Sequence, residues 1–310
     1  MKIEVLLSSY NGEKYIAEQL DSILAQNFHD LEETELEILI RDDGSSDGTK
    51  NILNEYSNVH RNITWYTGKN MGPGKSFWDL VKNAPSADFY CFADQDDVWK
   101  SDKIENGVRH LLSEGTPEKP LLYCSAVTVT DSNLKPLGFS ITPATISTSA
   151  ARALIYSLAP GCTYVFNNAA RNEYIKYDED KEFYQIHDWL AFRITALMGK
   201  VIFDNESHMF YRQHGDNAVG AAPGHAGLHS AMMKIRSFAR SKACLRSNSA
   251  RSLLHVYGDE LSAENKRLVH LIADYKDDPA VKRELLREPA FKIGTKNDFF
   301  FKMLVKMGRV

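Results

Sequence analysis

The four cysteines, Cys91, Cys124, Cys162 and Cys244, lie far apart and form no C-x-x-C pair. A disulfide framework is therefore excluded, and free thiols in a reducing compartment are expected. No apolar run approaches the roughly 20 residues that a membrane-spanning helix requires. Met1-Lys2 leads straight into Ile3–Leu7, which is too short for a signal-peptide core and has no cleavage site behind it. A cytoplasmic protein is the expectation. Excess positive charge is missing too: a net charge of −4 and a pI near 6.2 give no global case for nucleic-acid binding. There is no internal repeat. At 310 residues the chain can bury about three-quarters of its unfolded surface without covalent staples.

What the chain does have is acid at strand ends. Ile3–Leu7 stops at Ser8-Ser9-Tyr10-Asn11-Gly12, and Leu36–Ile40 stops at Arg41-Asp42-Asp43-Gly44-Ser45-Ser46-Asp47-Gly48. The apolar run Phe89–Ala93 delivers Asp94, Asp96 and Asp97 within four positions. Helical patterns intervene, with Tyr15, Ile16, Leu20, Ile23 and Leu24 on one stripe, then Ile52, Leu53 and Tyr56, then Phe77–Val81. Ile63–Tyr66 reads as a further strand. Strands alternating with helices predict a parallel sheet covered on both faces. In such sheets ligands collect beyond the carboxyl ends of the strands, where all three polar turns fall. Carboxylates this close repel and raise one another's pKa unless a cation sits among them. Oxygen-rich clusters suit Mg²⁺ or Mn²⁺, with water and phosphate completing the shell.

After Lys119-Pro120 the texture changes. Leu121–Thr130 alternates like a strand, Thr142–Ser149 is a polar loop, and Tyr164–Phe166 and Val201–Phe203 read as short strands. His187-Asp188-Trp189 opens an amphipathic helix through Leu190, Ile194, Leu197 and Met198. The expected organisation is residues 1–118 as a nucleotide-binding α/β half, 119–222 as an acceptor-binding half, and 223–310 as a basic, mainly helical extension.

Ser9-Tyr10-Asn11, Asp42-Asp43-Gly44-Ser45-x-Asp47, Asn70-x-Gly72, Asp94-x-Asp96-Asp97-x-Trp99 and a later Asp188 stand in the order found in inverting family-two glycosyltransferases, which this chain resembles. Ala93 to Trp99, Tyr211-Arg212-Gln213-His214 and Asn217 to Gly220 look most like the bacterial rhamnosyltransferase subgroup. The resemblance covers roughly the first 220 residues. It implies a GT-A fold, in which a nucleotide-binding α/β lobe merges with an acceptor-binding lobe. His187-Asp188 departs from the usual Glu-Asp of the family.

By that resemblance the reaction is sugar transfer from a nucleoside diphosphate, with dTDP-rhamnose as the implied donor and UDP-hexoses as the rivals. A glycan or lipid-linked hydroxyl is the implied acceptor. A divalent ion would offset the charge of the departing diphosphate. Asp96 is the first candidate ligand, with Asp94 at the ribose or the ion's water shell. His214 is a ligand by resemblance, although a lone His beside Gly215 reads equally as a polar loop residue. Asp97 reads as a cap of the following helix. Asp188 is the candidate base that takes the acceptor proton, worth about 10²- to 10⁴-fold in rate; its plainer reading is the N-cap of a helix starting at Trp189. Asp42 and Asp43 are expected at the imide N–H of a pyrimidine and Tyr10 on its face, beside Ser9 and Asn11. Asn70, Gly72 and Lys75 are expected at the diphosphate. Trp99, His187 and Trp189 are expected near the sugars, with core packing as the alternative for Trp99.

Two rival motifs compete. Gly68 through Ser76 imitates a P-loop, but Gly68 is one residue out of register and Pro73 removes a backbone donor. Asp43-x-Ser45-x-Asp47-Gly48 echoes an EF-hand loop, but Asn54 stands where the bidentate Glu belongs. A sugar-nucleotide binder without catalysis shares every nucleotide-site residue and differs only at Asp188 and the acceptor side. No Asp or Glu occurs between Asn217 and Gly258, where Lys234, Arg236, Arg240, Lys242, Arg246 and Arg251 accumulate. The chain closes on Phe299-Phe300-Phe301, Leu304 and Val305 among Lys302, Lys306 and Arg309. These segments read either as peripheral contact with an anionic membrane face or as a helical subdomain packed on the body or in a homodimer.

Overall fold

The structure is a computed structural model that describes residues 1–31, 33–143, 145–214, 244–292 and 296–310, with side chains at 296 and 297 left aside. Its centre is one sheet of eight strands: β1 (Lys2–Ser9), β2 (Glu35–Asp42), β3 (Ile63–Thr67), β4 (Phe89–Asp94), β5 (Val98–Trp99), β6 (Leu121–Thr130), β7 (Val165–Asn167) and β8 (Lys200–Arg212). The order across the sheet is β3-β2-β1-β4-β7-β6-β8-β5. The first four pair in parallel, as the alternation of strands and helices requires. β7 then inserts antiparallel between β4 and β6, while β6 and β8 run parallel.

The strands are buried on both faces, and their side chains divide by strict alternation. Ile3, Val5, Leu7, Ile38, Ile40, Cys91 and Ala93 enter one core, with Ile16, Leu20 and Ile23 of α1 (Ile16–Leu24), Leu53 of α2 (Thr49–Val59), and Ile104, Val108 and Leu111 of α4 (Lys103–Glu114). Leu6, Leu39, Tyr90 and Phe92 enter the other. There they meet α3 (Pro73–Asn83), α5 (Ala150–Ile155), α6 (Asn168–Tyr174) and α7 (His187–Met198). The helices α8 (Leu245–Tyr257), α9 (Ala263–Asp274), α10 (Pro279–Arg287) and α11 (Lys296–Lys306) extend this second layer.

Of the two readings of the tail, the described residues follow the packed subdomain. Phe301, Leu304 and Val305 are buried in the core while Phe299 is exposed. Arg251 pairs with Asp277, and Arg246 turns inward to donate to the carbonyl of Ile155. Lys234, Arg236, Arg240, Lys242 and the stretch Asn217 to Gly220 lie outside the described residues, as does the expected boundary at 222. The boundary at 118 falls between α4 and β6, but the sheet itself runs through both halves.

Two elements differ from the sequence reading. β8 continues nine residues past Phe203, through Asp204-Asn205-Glu206, because register shifts between Ser125 and Thr128 of β6 absorb the polar stretch. α7 starts at His187, so Asp188 sits inside the first turn and not at the N-cap, which is Ile186. Gly199 ends α7 where the chain turns directly into β8. A Cβ there would lie 1.8 Å from the Pro120 carbonyl oxygen, so only glycine lets β8 reach β6 at this point. Gly199→Ala should therefore lower the unfolding free energy by at least about 1–3 kcal/mol, the usual cost of forcing extra volume into a packed site; urea denaturation checks it, and an unchanged midpoint would contradict the packing.

Candidate active site

At the carboxyl ends of β1, β2 and β4 lies a cleft of about 690 Å³. Its walls bring together Tyr10, Asp43, Asn70, Gly72, Asp94, Asp96, His187, Asp188 and Trp189, all anticipated from sequence, with Phe77, Gln95, Gly161 and Tyr211, which were not.

β4 aims Asp94 into the cleft and the turn behind it presents Asp96. The half-buried Asp94 carboxyl is pushed up to about 7, first by loss of water, then by the charges of Asp96 and Asp188. Asp96 Oδ2 lies 2.7 Å from His214 Nε2, and both side chains are mostly buried. A carboxylate oxygen and an imidazole nitrogen directed at one point form a donor set suited to Mn²⁺ or Mg²⁺. The charges of Asp96 and Asp188 that raise Asp94 are what a cation would relieve, so these residues fit the implied ion.

Asp97 is not a helix cap: Asp102 occupies that position ahead of α4. Asp97 is instead buried beneath the cleft, where it accepts the Arg212 amide at 3.1 Å. Asp94, Asp97 and the Cys162 thiol hold their polar atoms within 4.8 Å of one another. Thiolate is a poor ligand for these hard cations; the Cys162 thiol donates toward both carboxylates, and burial keeps it well above its ordinary pKa. Lys103 is buried beside them, 3.7 Å over the Trp99 ring. Arg212 ties the assembly together. Its Nε donates to Asp96 O at 2.8 Å and its Nη1 to Ser132 O at 2.7 Å, while it pairs with Glu18 and lies over Tyr15. Tyr15 in turn packs against His214, with ring centroids 4.8 Å apart.

Across the cleft, Asp188 projects from the first turn of α7. Its Oδ1 accepts the Trp189 amide at 2.7 Å. Burial lifts its pKa to about 6, against the pull of the Trp189, Asp188 and Gly161 amides and of Arg193. A Cβ on Gly161 would lie 2.7 Å from His187 Nε2 and 2.9 Å from Asp188 Cβ, so the glycine permits this close approach. His187 stacks on Phe77 at 4.1 Å, and burial holds it down to about 3; it is a neutral wall to the cleft.

Several expected contacts take other roles. Asp42 is fully buried, accepts Gly44 and Ser45 amides and the Thr67 hydroxyl, and shapes the turn instead of facing the cleft. Asp43 does line the cleft, but it also pairs with buried Arg41 and accepts the amides of Met71 and Gly72. Those amides are the donors a P-loop would offer to phosphate, and that reading ends here. Lys75 points to Asp180 at 2.6 Å and is no part of the cleft wall. Trp99 is core, beneath Lys103. Ser9 is buried and its carbonyl accepts the Asp43 amide, while Asn11 accepts the Ser46 amide, so both brace the 43–46 turn. Asp47 caps Thr49 and Ser45 Oγ accepts from Asn11, which scatters the EF-hand oxygens. Gln95, bonded both ways to the Tyr10 backbone, had no sequence signal beyond its place between two aspartates.

Residues 4–116 match the model of glycosyl transferase family 2. The chain is 32% identical over 226 residues to dTDP-rhamnosyl transferase RfbG of Shigella flexneri, covering 69% of this chain and 74% of that protein. It is 31% identical over 111 residues to the putative teichuronic acid biosynthesis glycosyltransferase TuaG of Bacillus subtilis, or 36% of this chain and 42% of that one. Among solved structures it is similar to S. aureus TarS 1-349 in complex with UDP-GlcNAc, with a TM-score of 0.55, 16% identity, and coverage of 100% and 93%. The mannosyltransferase PcManGT of Pyrobaculum calidifontis, in complex with GDP-Man and Mn²⁺, gives a TM-score of 0.52 at 15% identity, with coverage of 98% and 84%. Likeness at such identities shows the fold, a GT-A-type mixed α/β architecture. With the ordered acidic turns and the relative at 32% identity, the chain belongs to glycosyltransferase family 2 and is a transferase.

Proposed function

We propose that this transferase is a divalent-metal-dependent, inverting enzyme that moves a sugar from a nucleoside diphosphate to a hydroxyl of a cell-surface glycan or lipid-linked acceptor. L-Rhamnose from dTDP-rhamnose is the first choice of donor, supported by the similarity to RfbG; a UDP-hexose is the second. One observation carries the reading: Asp94, Asp96 and Asp188 face a single cleft. Tyr10, 47% exposed at the cleft edge, stacks on the base. Asp94 receives the ribose, and Asn70 and Gly72 border the diphosphate. Asp96 and His214 would hold the Mg²⁺ or Mn²⁺, which when bound would supply positive charge against the leaving diphosphate. Asp188 accepts the acceptor proton as its oxygen attacks the anomeric carbon from the opposite face, and Trp189 flanks the incoming sugar. No enzyme nucleophile is needed for inversion.

Peripheral attachment to the inner face of the membrane belongs to the same proposal, supported by the basic run Lys234 to Lys242 and exposed Phe299. No helix among the described residues is long and apolar enough to cross a bilayer.

Asp188→Asn should bind dTDP or UDP as the wild type does and lose about 10²- to 10⁴-fold in transfer rate; unchanged turnover would remove the base assignment. Because the base works ionised and its pKa is raised to about 6, the transfer rate should fall as pH drops through 6 and level off above it. Burial of that charge also means the fold loses stability as pH rises through the same value, the opposite direction to the rate. Flotation with anionic liposomes at low salt should carry the protein upward; its absence from the floated fraction would end the attachment reading.

A further inference from the structure

Arg193 stands one helical turn after Trp189 on α7, so the two side chains share a face of the helix. Although charged, Arg193 is 2% exposed. Its Nε donates to Ala153 O of α5 at 3.1 Å, and its Nη1 donates to Ser249 Oγ of α8 at 2.8 Å. Its guanidinium carbon lies 5.0 Å from the centroid of the Trp189 ring. One side chain therefore ties the helix that carries Asp188 to two others, and holds the indole against a planar cation.

Ala153 sits in the last turn of α5, which ends at Ile155 and runs through Tyr156 into Ser157, Leu158, Ala159 and Pro160. Those four residues line the cleft, as do Asp188 and Trp189. The acceptor side thus draws its wall from two distant stretches of chain, 157–160 and 188–189, and Arg193 holds the support of each. Its charge also acts on Asp188 against the upward push of burial.

Drawing a guanidinium out of water is unfavourable, and an apolar side chain would fill the same space without that penalty. Stability alone therefore does not account for the residue. What an apolar chain could not do is fix α5, α7 and α8 in one geometry with directional bonds, as the supporting residues of a binding site do. Trp189 is the surface such a clamp would serve. The electron-rich face of an indole attracts the C–H groups of a pyranose ring, and that contact depends on how the indole is tilted.

We propose that Arg193 is a positioning residue of the acceptor subsite, holding Trp189 as a stacking platform for a pyranose ring of the acceptor and fixing the 157–160 wall relative to it. Assigning that pyranose to the acceptor rests on the transferase reading above; the clamp between Arg193 and Trp189 does not.

Tryptophan fluorescence of the full chain tests it, in dTDP or UDP with Mn²⁺, by titration with methyl α-L-rhamnoside, methyl β-D-glucoside and methyl N-acetyl-β-D-glucosaminide. The chain has four tryptophans, so Trp189→Phe identifies the signal. At least one glycoside should change the wild-type emission, and the change should vanish in Trp189→Phe. Arg193→Met should weaken that binding by about tenfold or more. Arg193→Lys, which keeps the charge but not the fork, should weaken it less. Thermal stabilisation by the nucleotide should match wild type in every variant, an outcome that general loss of structure would not give. If Arg193→Met fails to fold, Ser249→Ala carries the test, since it withdraws one acceptor of the clamp. No change with any glycoside overturns the platform. Wild-type affinity in Arg193→Met, or in Ser249→Ala where that variant carries the test, overturns the positioning role. A glycoside displaced by the nucleotide also overturns the proposal, because it places the sugar on the donor side. Absence of nucleotide stabilisation in the wild type would instead count against the transferase assignments, while glycoside binding without nucleotide still reads the clamp.

Discussion

The crowding of Asp94 by loss of water and by the charges of Asp96 and Asp188 governs the cleft. Each is drawn partly out of water at one cleft, and Asp94 responds by holding its proton up to about neutral pH. A fold gains nothing in stability from this arrangement. It is the kind of local conflict that a chain retains at a functional site.

Much of the surrounding chain serves to hold that conflict in place. The parallel half of the sheet sends three strand ends to one edge. The β4–β7–β6 antiparallel junction then returns the chain so that Gly161 and α7 can bring Asp188 across from Asp94. Beneath the acids, the Cys162 thiol, the Arg212 amide and Lys103 supply donors and charge that keep buried Asp97 in the structure. Arg212 links the two halves of the site through the Asp96 carbonyl, Glu18 and Tyr15, and Tyr15 packs against His214. Asp43 and Arg41 form a second anchor that fixes the 69–72 loop at the opposite rim.

The parallel strands were legible because burial on both faces leaves short apolar runs that end in polar turns. The gathering of Asp94, Asp96 and Asp188 was legible from motif order. Individual roles were less so, since sequence shows that an acid stands at a strand end but not which way it points. Asp42 and Asp43 are adjacent, yet strand alternation turns the first into the turn and the second to the cleft. Lys75 lay at a helix start beside glycines and still turned to Asp180, a partner 105 residues away. Two-residue β5 and the polar length of β8 carry no periodic signal, because β5 is fixed by pairing with β8, and β8 by its irregular register on β6. Cys162 was hidden in the same way: its partners Asp94 and Asp97 arrive only when the 161–163 turn meets the end of β4.

The family match covers residues 4–116, and residues 157–160 and Trp189, beyond it, line the cleft beside Asp188. Anomalous diffraction from crystals grown with Mn²⁺ and dTDP or UDP tests the whole account most directly. The prediction is a manganese peak bonded to Asp96 and His214 and to the diphosphate, with Asp188 facing it across the same cleft. A diphosphate bound elsewhere, or manganese held by neither residue, would contradict it.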